Sequence, residues 1–365
     1  MRFLATCTFG LESVLKKEIK NLGLWYEEVG DGYVAFSGEE QAMSIANLWL
    51  RTADRVFLEL ATFPAHTFEE LFQGVFALPW SQYIALENSF PVLAKSRKSQ
   101  LSSTPSCQSI TKKAIVKKLQ EHYQIEQFME SGAEVGIHVW LLDDQAKVLL
   151  NTSGAALHKR GYRDTQVAAP LKETLAAGLV YLSDWDQHQA LYDPFCGSGT
   201  ILIEAAMLAK NIAPGLLRTF AFEQWSWPNK TLLVQARAEA QNKKSDKSIH
   251  IRGSDYDPEA IAAAKHSASL ANVPEITFEV ADILNSEFRI QNSELILTNP
   301  PYGHRLGDEY EVREIYHKLE KVYRDCMQAR WHIFTAYPDI ERDFKKQAKR
   351  RKLYNGGIQC YLYSF

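Results

Sequence analysis

The spacing of apolar positions changes along this chain. Over residues 1–60 it reads as strand, helix, strand, helix at 3–6, 11–22, 32–36 and 40–50, with short apolar runs separated by stretches of helical period. The pattern is mixed up to about residue 150: 110–120 has helical spacing, 134–141 alternates apolar and polar, and 148–151 is another short strand. From residue 171 strands and helices alternate, with strands predicted at 191–192, 250–255, 276–280, 295–297 and 331–335 and helices at 201–210 and 261–272. That order calls for a mostly parallel sheet with right-handed crossovers. The last two strands, 351–354 and 358–363, are joined by Asn355-Gly356-Gly357, a hairpin signal, so the sheet should end antiparallel. The expected class is α/β, in three parts at 1–60, 61–155 and 156–365.

Chemistry concentrates in the last part. The turn Asp193-Pro-Phe-Cys-Gly-Ser-Gly-Thr200 stands between a short strand and a helix; Gly197 and Gly199 remove side chains where the backbone must turn and approach a ligand, and Thr200 opens a helix whose amides are available to ligand oxygens. It is neither G-x-G-x-x-G nor a P-loop, which removes nicotinamide and nucleotide-hydrolysis readings. A second strand ends at Asp255, an acid placed for ribose hydroxyls, with Asp257 as helix N-cap and Pro258 at the first helical position. A third ends near Asp282; each of these acids, taken singly, is more readily a simple cap, but three in order at strand ends are not. Asn299-Pro300-Pro301-Tyr302 closes the apolar run at 295–297. An amine conjugated into a purine ring is a poor nucleophile, and two acceptors, the Asn299 side-chain oxygen and the Pro300 carbonyl, can hold its N–H bonds. Prolines fix the loop, and Tyr302 offers a ring for stacking a base. Together these point to methyl transfer onto an exocyclic base nitrogen, although a lone Asn-Pro pair is ordinarily a turn.

Composition narrows the picture. No segment is apolar for long enough to span a bilayer, and Glu12, Lys16 and Lys17 interrupt the one N-terminal candidate for a signal sequence, so a soluble cytoplasmic protein is expected. Five cysteines without a C-x-x-C pair indicate neither zinc nor a disulfide framework, and no metal is expected. Cys196 reads as a packing residue; pyrimidine carbon-5 chemistry, which needs a thiolate, is disfavoured because Tyr302 follows the two prolines. The net charge of −3 does not favour nucleic acid, but its distribution does. Lys95, Arg97, Lys98, Lys112, Lys113, Lys117 and Lys118 occur with no intervening acid, among serines suited to phosphate oxygens; the bland alternative is a solvated helix face. Lys159, Arg160 and Arg163 are further candidates at the domain junction, and a second basic run, 345–352, either flanks the active site or is a wet helix.

These motifs, with Phe3-Leu-Ala-Thr-Cys-Thr-Phe-Gly-Leu-Glu, Leu150-Asn-Thr-Ser-Gly154, Leu157-His-Lys-Arg-Gly-Tyr-Arg163, Ala169-Pro-Leu-Lys-Glu173 and Thr298-Asn-Pro-Pro-Tyr-Gly-His-Arg-Leu306, resemble the THUMP-domain RNA guanine-N2 methyltransferases. Within that family the likeness is to the bacterial 23S rRNA guanine-2445-N2 enzymes, and it covers nearly the whole chain. It implies a ferredoxin-like region over 1–60, a THUMP RNA-binding domain over 61–155 and a Rossmann-like methyltransferase domain over 156–365. It also implies S-adenosylmethionine as cofactor, bound by Asp193, Phe195, Gly197, Gly199, Thr200, Asp255, Asp282, Ile283 and Asn299. Catalysis would fall to Asn299, Pro300, Pro301 and Tyr302, and the partner would be RNA, 23S rRNA or a ribosomal assembly intermediate. The second methyltransferase fused to well-known members is expected to be absent, as the sequence stops at Phe365. More than fifty residues separate Gly199 from Asp255, which reads as a helical insertion near the site. A tRNA substrate, adenine N6 as target, and a non-catalytic RNA-binding assembly factor are the alternatives that the motifs leave open.

Overall fold

The computed structural model describes residues 1–163, 171–282, 294–302 and 309–365, which divide into two units. One unit comprises residues 1–6, 16–157 and 218–238; the other comprises 7–15, 158–217 and 239–365.

In chain order the first half runs β1 (Arg2–Cys7), α1 (Glu12–Asn21), β2 (Trp25–Gly30), β3 (Tyr33–Ser37), α2 (Gln41–Trp49), β4 (Ala53–Pro64), α3 (Phe68–Phe76), β5 (Val92–Arg97), α4 (Thr104–Tyr123), β6 (Ile137–Leu142) and β7 (Gln145–Asn151). Its strands form one mixed sheet in the order β2-β3-β1-β4-β7-β6-β5. Side-chain alternation assigns the faces: Phe3 pairs with Phe36 and stacks on it at 5.4 Å on one face, while the next pair, Leu4 and Ala35, joins Tyr33, Phe57, Trp140 and Leu149 in a buried cluster on the other. The edge strand β2 was not predicted. Its sequence WYEEVG is largely exposed and carries a bulge between Tyr26 and Glu28, so it lacks the clean alternation that marks a half-buried strand. The Ser-rich stretch is also more helical than expected. Ser103 caps α4 by accepting from the Ser106 amide, and Cys107, Thr111, Ala114, Ile115 and Leu119 form its buried face.

The second half continues with α5 (Glu173–Leu182), β8 (Leu191–Asp193), α6 (Thr200–Ala209), α7 (Lys230–Asn242), β9 (Ile251–Asp255), α8 (Pro258–Leu270), β10 (Thr277–Val280), β11 (Leu295–Thr298), α9 (Glu309–Asp325), β12 (Arg330–Thr335), α10 (Ile340–Asp343), β13 (Lys349–Asn355) and β14 (Ile358–Ser364). The sheet order is β10-β9-β8-β11-β12-β14-β13, parallel from β10 through β12, with β14 antiparallel to both neighbours. This is the Rossmann-like methyltransferase sheet with its antiparallel end. It brings the C-terminal ends of β8, β9 and β11 side by side, where open α/β sheets bind ligands. Beside β12, Val312, Tyr316, Leu319 and Tyr323 recur at helical spacing on α9 and bury one stripe against Trp331 and Ile333. Each such side chain removed from water contributes roughly 1.5–3 kcal/mol.

The strand predicted from 351 starts earlier, so that Lys349 and Arg350 lie in β13 with Arg351 and Lys352, and Arg351 donates to the Gly10 carbonyl at 2.7 Å. Of the insertion between the glycine turn and Asp255, residues 218–238 cluster with the first unit. There Trp225 Nε1 donates to the Glu134 carbonyl at 2.9 Å, and Arg218 donates to the carbonyls of Ala155 and Ala156, each at 2.6 Å. No helix among the described residues is long and apolar enough to cross a membrane.

Candidate active site

The glycine turn is held from beneath by two carboxylates. Asp193, buried at the end of β8, accepts from the Phe195 amide at 3.0 Å and from the Thr298 hydroxyl at 2.6 Å on the same oxygen. Burial pushes its pKa up to about 7, against the opposing pull of those two hydrogen bonds. Asp255, at the end of β9, accepts from the Gly197 amide at 2.9 Å through Oδ2 and from the Asp257 amide at 3.1 Å through Oδ1. Burial raises this carboxyl too, while the amide bonds oppose it. A carboxylate has about four acceptor sites, so Asp255, which the Tyr256 amide also approaches, retains acceptor capacity. Asp257 caps α8 by accepting from the Glu259 amide at 2.8 Å, with Pro258 first in the helix, as its sequence predicts.

The glycines are required for two different reasons. Gly199 has φ +77° and an added Cβ would stand 2.9 Å from the Phe278 ring, so the turn is locked against β10. Gly197 has φ +52° and a Cβ would meet nothing within 4 Å, which leaves an open cradle above the turn and ahead of the first turn of α6. A group with hydroxyls for Asp255 and anionic oxygens for the α6 amides fits such a cradle. Cys196 is buried and its pKa is raised well above the ordinary thiol by desolvation, as suits a packing residue. Its Sγ would lie 3.0 Å from a Cβ at position 253, which explains Gly253.

Asn299 sits just past β11. Its Nδ2 donates to the Phe334 carbonyl of β12 at 2.7 Å. A carbonyl only accepts, so this bond determines which way the amide faces, and Oδ1 is turned away with no hydrogen-bond partner among the described residues. Pro300 is buried and Pro301 half-buried. Tyr302 packs against the α9–β12 core, and its hydroxyl accepts from Asn355 Nδ2 at 2.8 Å, at the hairpin end of β13. The Asp193–Thr298 bond joins the glycine turn to the residue before Asn299, so the two motifs form one structure. Sequence reasoning had Thr298 only as the opening of the Asn-Pro-Pro-Tyr motif and Asn355 only as a hairpin signal, and it missed the Phe334 carbonyl, which carries no motif of its own.

Two expected RNA contacts are turned inward. Arg160 is 2% exposed, and its Nε and Nη2 each lie 3.3 Å from a different oxygen of Glu204, which also accepts from the Tyr162 hydroxyl at 3.1 Å. Arg163 donates to the Thr200 hydroxyl oxygen and pairs with Glu173 at 3.1 Å. The described part of the segment bearing them is therefore held against α6 and α5, with Arg160 buried and Arg163 half-buried. A signal was present: Glu204 is an isolated acid in the apolar helix TILIEAAMLA, and a buried charge needs a partner. Lys159 is exposed. Asp282 is half-buried just beyond β10, and Ile283 lies outside the described residues.

The acid-free stretch acquires acids through the fold. Arg97 pairs with Asp31 at 2.7 Å, Lys112 with Glu130 at 2.6 Å and Lys118 with Glu121 at 3.6 Å. Lys95 Nζ lies 3.3 Å from the centre of the Trp140 ring, its cross-strand neighbour. Lys98, Lys113 and Lys117 are exposed and have no acidic partner among the described residues.

With this geometry in hand, the chain matches three family models: an RlmL ferredoxin-like domain at residues 2–57, a THUMP domain at 65–151, and an RMKL-like methyltransferase domain at 160–364. It is 42% identical to YpsC of Bacillus subtilis, a candidate RNA methyltransferase by name, over 99% of this chain and 95% of that protein. It is 33% identical to the Marinomonas ribosomal RNA large subunit methyltransferase K/L over 99% of this chain, spanning 52% of that protein's length. Among solved structures, SMU.472, described as a candidate methyltransferase complexed with SAH, has a TM-score of 0.91 at 41% identity, covering 100% of this chain and 97% of that one. A Listeria monocytogenes structure titled as a predicted N6-adenine-specific DNA methylase has a TM-score of 0.92 at 42% identity, covering 100% of this chain and 95% of that one.

Proposed function

Because the chain belongs to the RMKL-like methyltransferase family, with an RlmL ferredoxin-like domain and a THUMP domain ahead of the methyltransferase domain, we propose that it methylates the exocyclic N2 amine of a guanine in RNA, in 23S rRNA. The observation that carries this reading is the orientation of Asn299: its amide nitrogen is occupied by the Phe334 carbonyl, which leaves Oδ1 as an acceptor at the sheet edge beside the glycine turn. An acceptor there suits an amine donor and not a carbonyl or a ring carbon. The rRNA assignment draws on the K/L relative's name and on the RNA-type modules of the N-terminal half. In this reading residues 1–60 and 61–155 present the RNA and 156–365 carry the chemistry.

S-adenosylmethionine, when bound, supplies a methyl group made electrophilic by its positively charged sulfur. The residues that would hold it are Asp255, through the acceptor sites it retains, Phe195, and the cradle over Gly197, Gly199 and Thr200, with Asp193 fixing the turn. Asn299 Oδ1 and the Pro300 carbonyl accept the two N–H bonds of the amine and raise electron density on its nitrogen. Tyr302, anchored through its hydroxyl by Asn355, offers the stacking face for the base. No strong base is required, since the amine proton becomes acidic once the nitrogen has gained its methyl group. Positioning supplies most of the acceleration. A guanine in a helix is paired and stacked, so the substrate must be flipped or single-stranded.

Mass mapping of modified nucleosides in 23S rRNA and tRNA from a deletion strain tests this directly. Loss of one N2-methylguanosine from 23S rRNA is expected, restored by the wild-type gene and not by Asn299→Ala. That variant should lower turnover by about 10²–10³-fold, the scale for one positioned polar group, with cofactor affinity unchanged. Loss of a tRNA N2-methylguanosine, or of an N6-methyladenosine, would instead assign the enzyme to one of those substrates.

A further inference from the structure

The N-terminus of α6 is buried and short of partners. Thr200, Ile201 and Leu202 are at most 5% exposed. Its cap is a glycine, its first turn holds no acid, and the amides of these three residues donate to no acceptor among the described residues. The first amide to find one is that of Ile203, which donates to the Gly199 carbonyl at 2.9 Å. A helix end enclosed in this way needs acceptors from outside the helix. Thr200 adds a fourth donor. Arg163 donates through Nη2 to the Thr200 side chain, and a guanidinium has only hydrogens to give, so Oγ1 is the acceptor of that bond. The hydroxyl hydrogen must then point elsewhere, and no acceptor takes it among the described residues. Arg163 is itself held in place, because Nη1 pairs with Glu173 at 3.1 Å and the side chain is only 14% exposed.

A buried hydroxyl hydrogen and three buried amides without acceptors each cost stability. Fastening Arg163 does not require that cost, since Glu173 already holds the guanidinium. An anion offsets it: a helix N-terminus carries about half a positive charge, and a hydroxyl bonded to a cation is a stronger donor than an isolated one. The cradle over Gly197 opens ahead of these donors, and the one anionic group of S-adenosylmethionine is the carboxylate at its methionine end. We propose that Arg163 is a positioning residue for that carboxylate: it holds the Thr200 hydroxyl with its hydrogen turned to the cradle, so that Thr200 and the α6 amides receive the carboxylate oxygens. Arg163 thereby moves from the RNA contacts to the cofactor site. This inference rests on S-adenosylmethionine occupying the cradle.

Calorimetry on the full chain compares S-adenosylhomocysteine with methylthioadenosine, a thioether that keeps the adenosine and has no amino-acid end. Thr200→Val should weaken S-adenosylhomocysteine by about 10- to 100-fold, the scale of a hydrogen bond to a charged group, and leave methylthioadenosine unchanged. Arg163→Met together with Glu173→Gln removes the ion pair as a whole, so that no buried charge is stranded, and should show the same selective loss. Adding Thr200→Val to that pair should weaken binding no further than Thr200→Val alone, because Arg163 acts through that hydroxyl. Equal losses for the two ligands would make the cluster a support of the fold and overturn the proposal. So would unchanged S-adenosylhomocysteine affinity in either variant, or losses that simply add. Weakened binding of a 23S rRNA transcript by the Arg163 variant, with S-adenosylhomocysteine affinity intact, would return Arg163 to the RNA surface. If the wild-type chain binds neither small ligand, the cofactor reading itself fails and this proposal with it.

Discussion

Replacing Asp193 by Asn should stabilise the protein at alkaline pH and leave it nearly unchanged at acidic pH. The folded pKa of Asp193 is pushed up from 3.8 to about 7 by burial. Below the unfolded value both states hold the proton and the carboxyl costs nothing. As pH rises past it the unfolded chain releases its proton while the native state retains it, so stability falls, and the loss is complete above the folded pKa. A displacement of about three units corresponds to roughly 4 kcal/mol at 1.36 kcal/mol per unit. The Asn oxygen can still accept from the Phe195 amide and the Thr298 hydroxyl, so the link between the glycine turn and the Asn299 loop survives. Its new NH₂ needs a partner and costs about 1 kcal/mol or more if it finds none. The net gain at pH 8.5 is then about 3 kcal/mol at most, or roughly 6–12 °C in melting temperature for a unit of this size. At pH 4.5 the two effects nearly cancel. Calorimetric scans of both proteins at the two pH values decide it: a difference that does not vary with pH, or a variant less stable at pH 8.5, would refute the reasoning. A carboxylate that destabilises its own fold at neutral pH is retained where a site needs charge, the usual trade of stability for function.

Two other substitutions separate roles that overlap in the site. Asp255→Ala should weaken S-adenosylmethionine binding by about 10–100-fold, since hydrogen bonds to a charged group contribute about 1.5–3 kcal/mol; calorimetry showing unchanged affinity would remove Asp255 from the cofactor site. Glu204→Gln leaves Arg160 buried without its counter-charge and should cost about 3–5 kcal/mol, whereas Arg160→Met with Glu204→Leu should recover most of that loss. Urea unfolding measures both, and an Arg160→Met variant that folds normally but flattens the salt dependence of RNA binding would restore Arg160 to the RNA surface.

What could be read from the chain, and what could not, follows from distance along it. The glycine turn, the Asp257 cap with Pro258 and the Asn355-Gly356-Gly357 hairpin are decided by neighbouring residues, so local chemistry specifies them, and the alternation from residue 171 onward carries the parallel sheet with its antiparallel end. The ion pairs were illegible because they join residues far apart: Arg97 meets Asp31 across 66 positions and Arg160 meets Glu204 across 44. A basic stretch without acids in sequence is therefore partly paired in space, and among the described residues Lys95, Lys98, Lys113 and Lys117 are the members of the run without an acidic partner. The same logic explains why the motif loop was found and its control was not. Asn299 advertises itself through the two prolines, but the direction of its amide is set by a backbone carbonyl 35 residues later, on a strand whose side chains carry no chemical signature. Phe334 can therefore be replaced by another core residue without loss of that contact, whereas any change that shifts the register of β12 against β11 would turn the Asn299 acceptor away from its substrate.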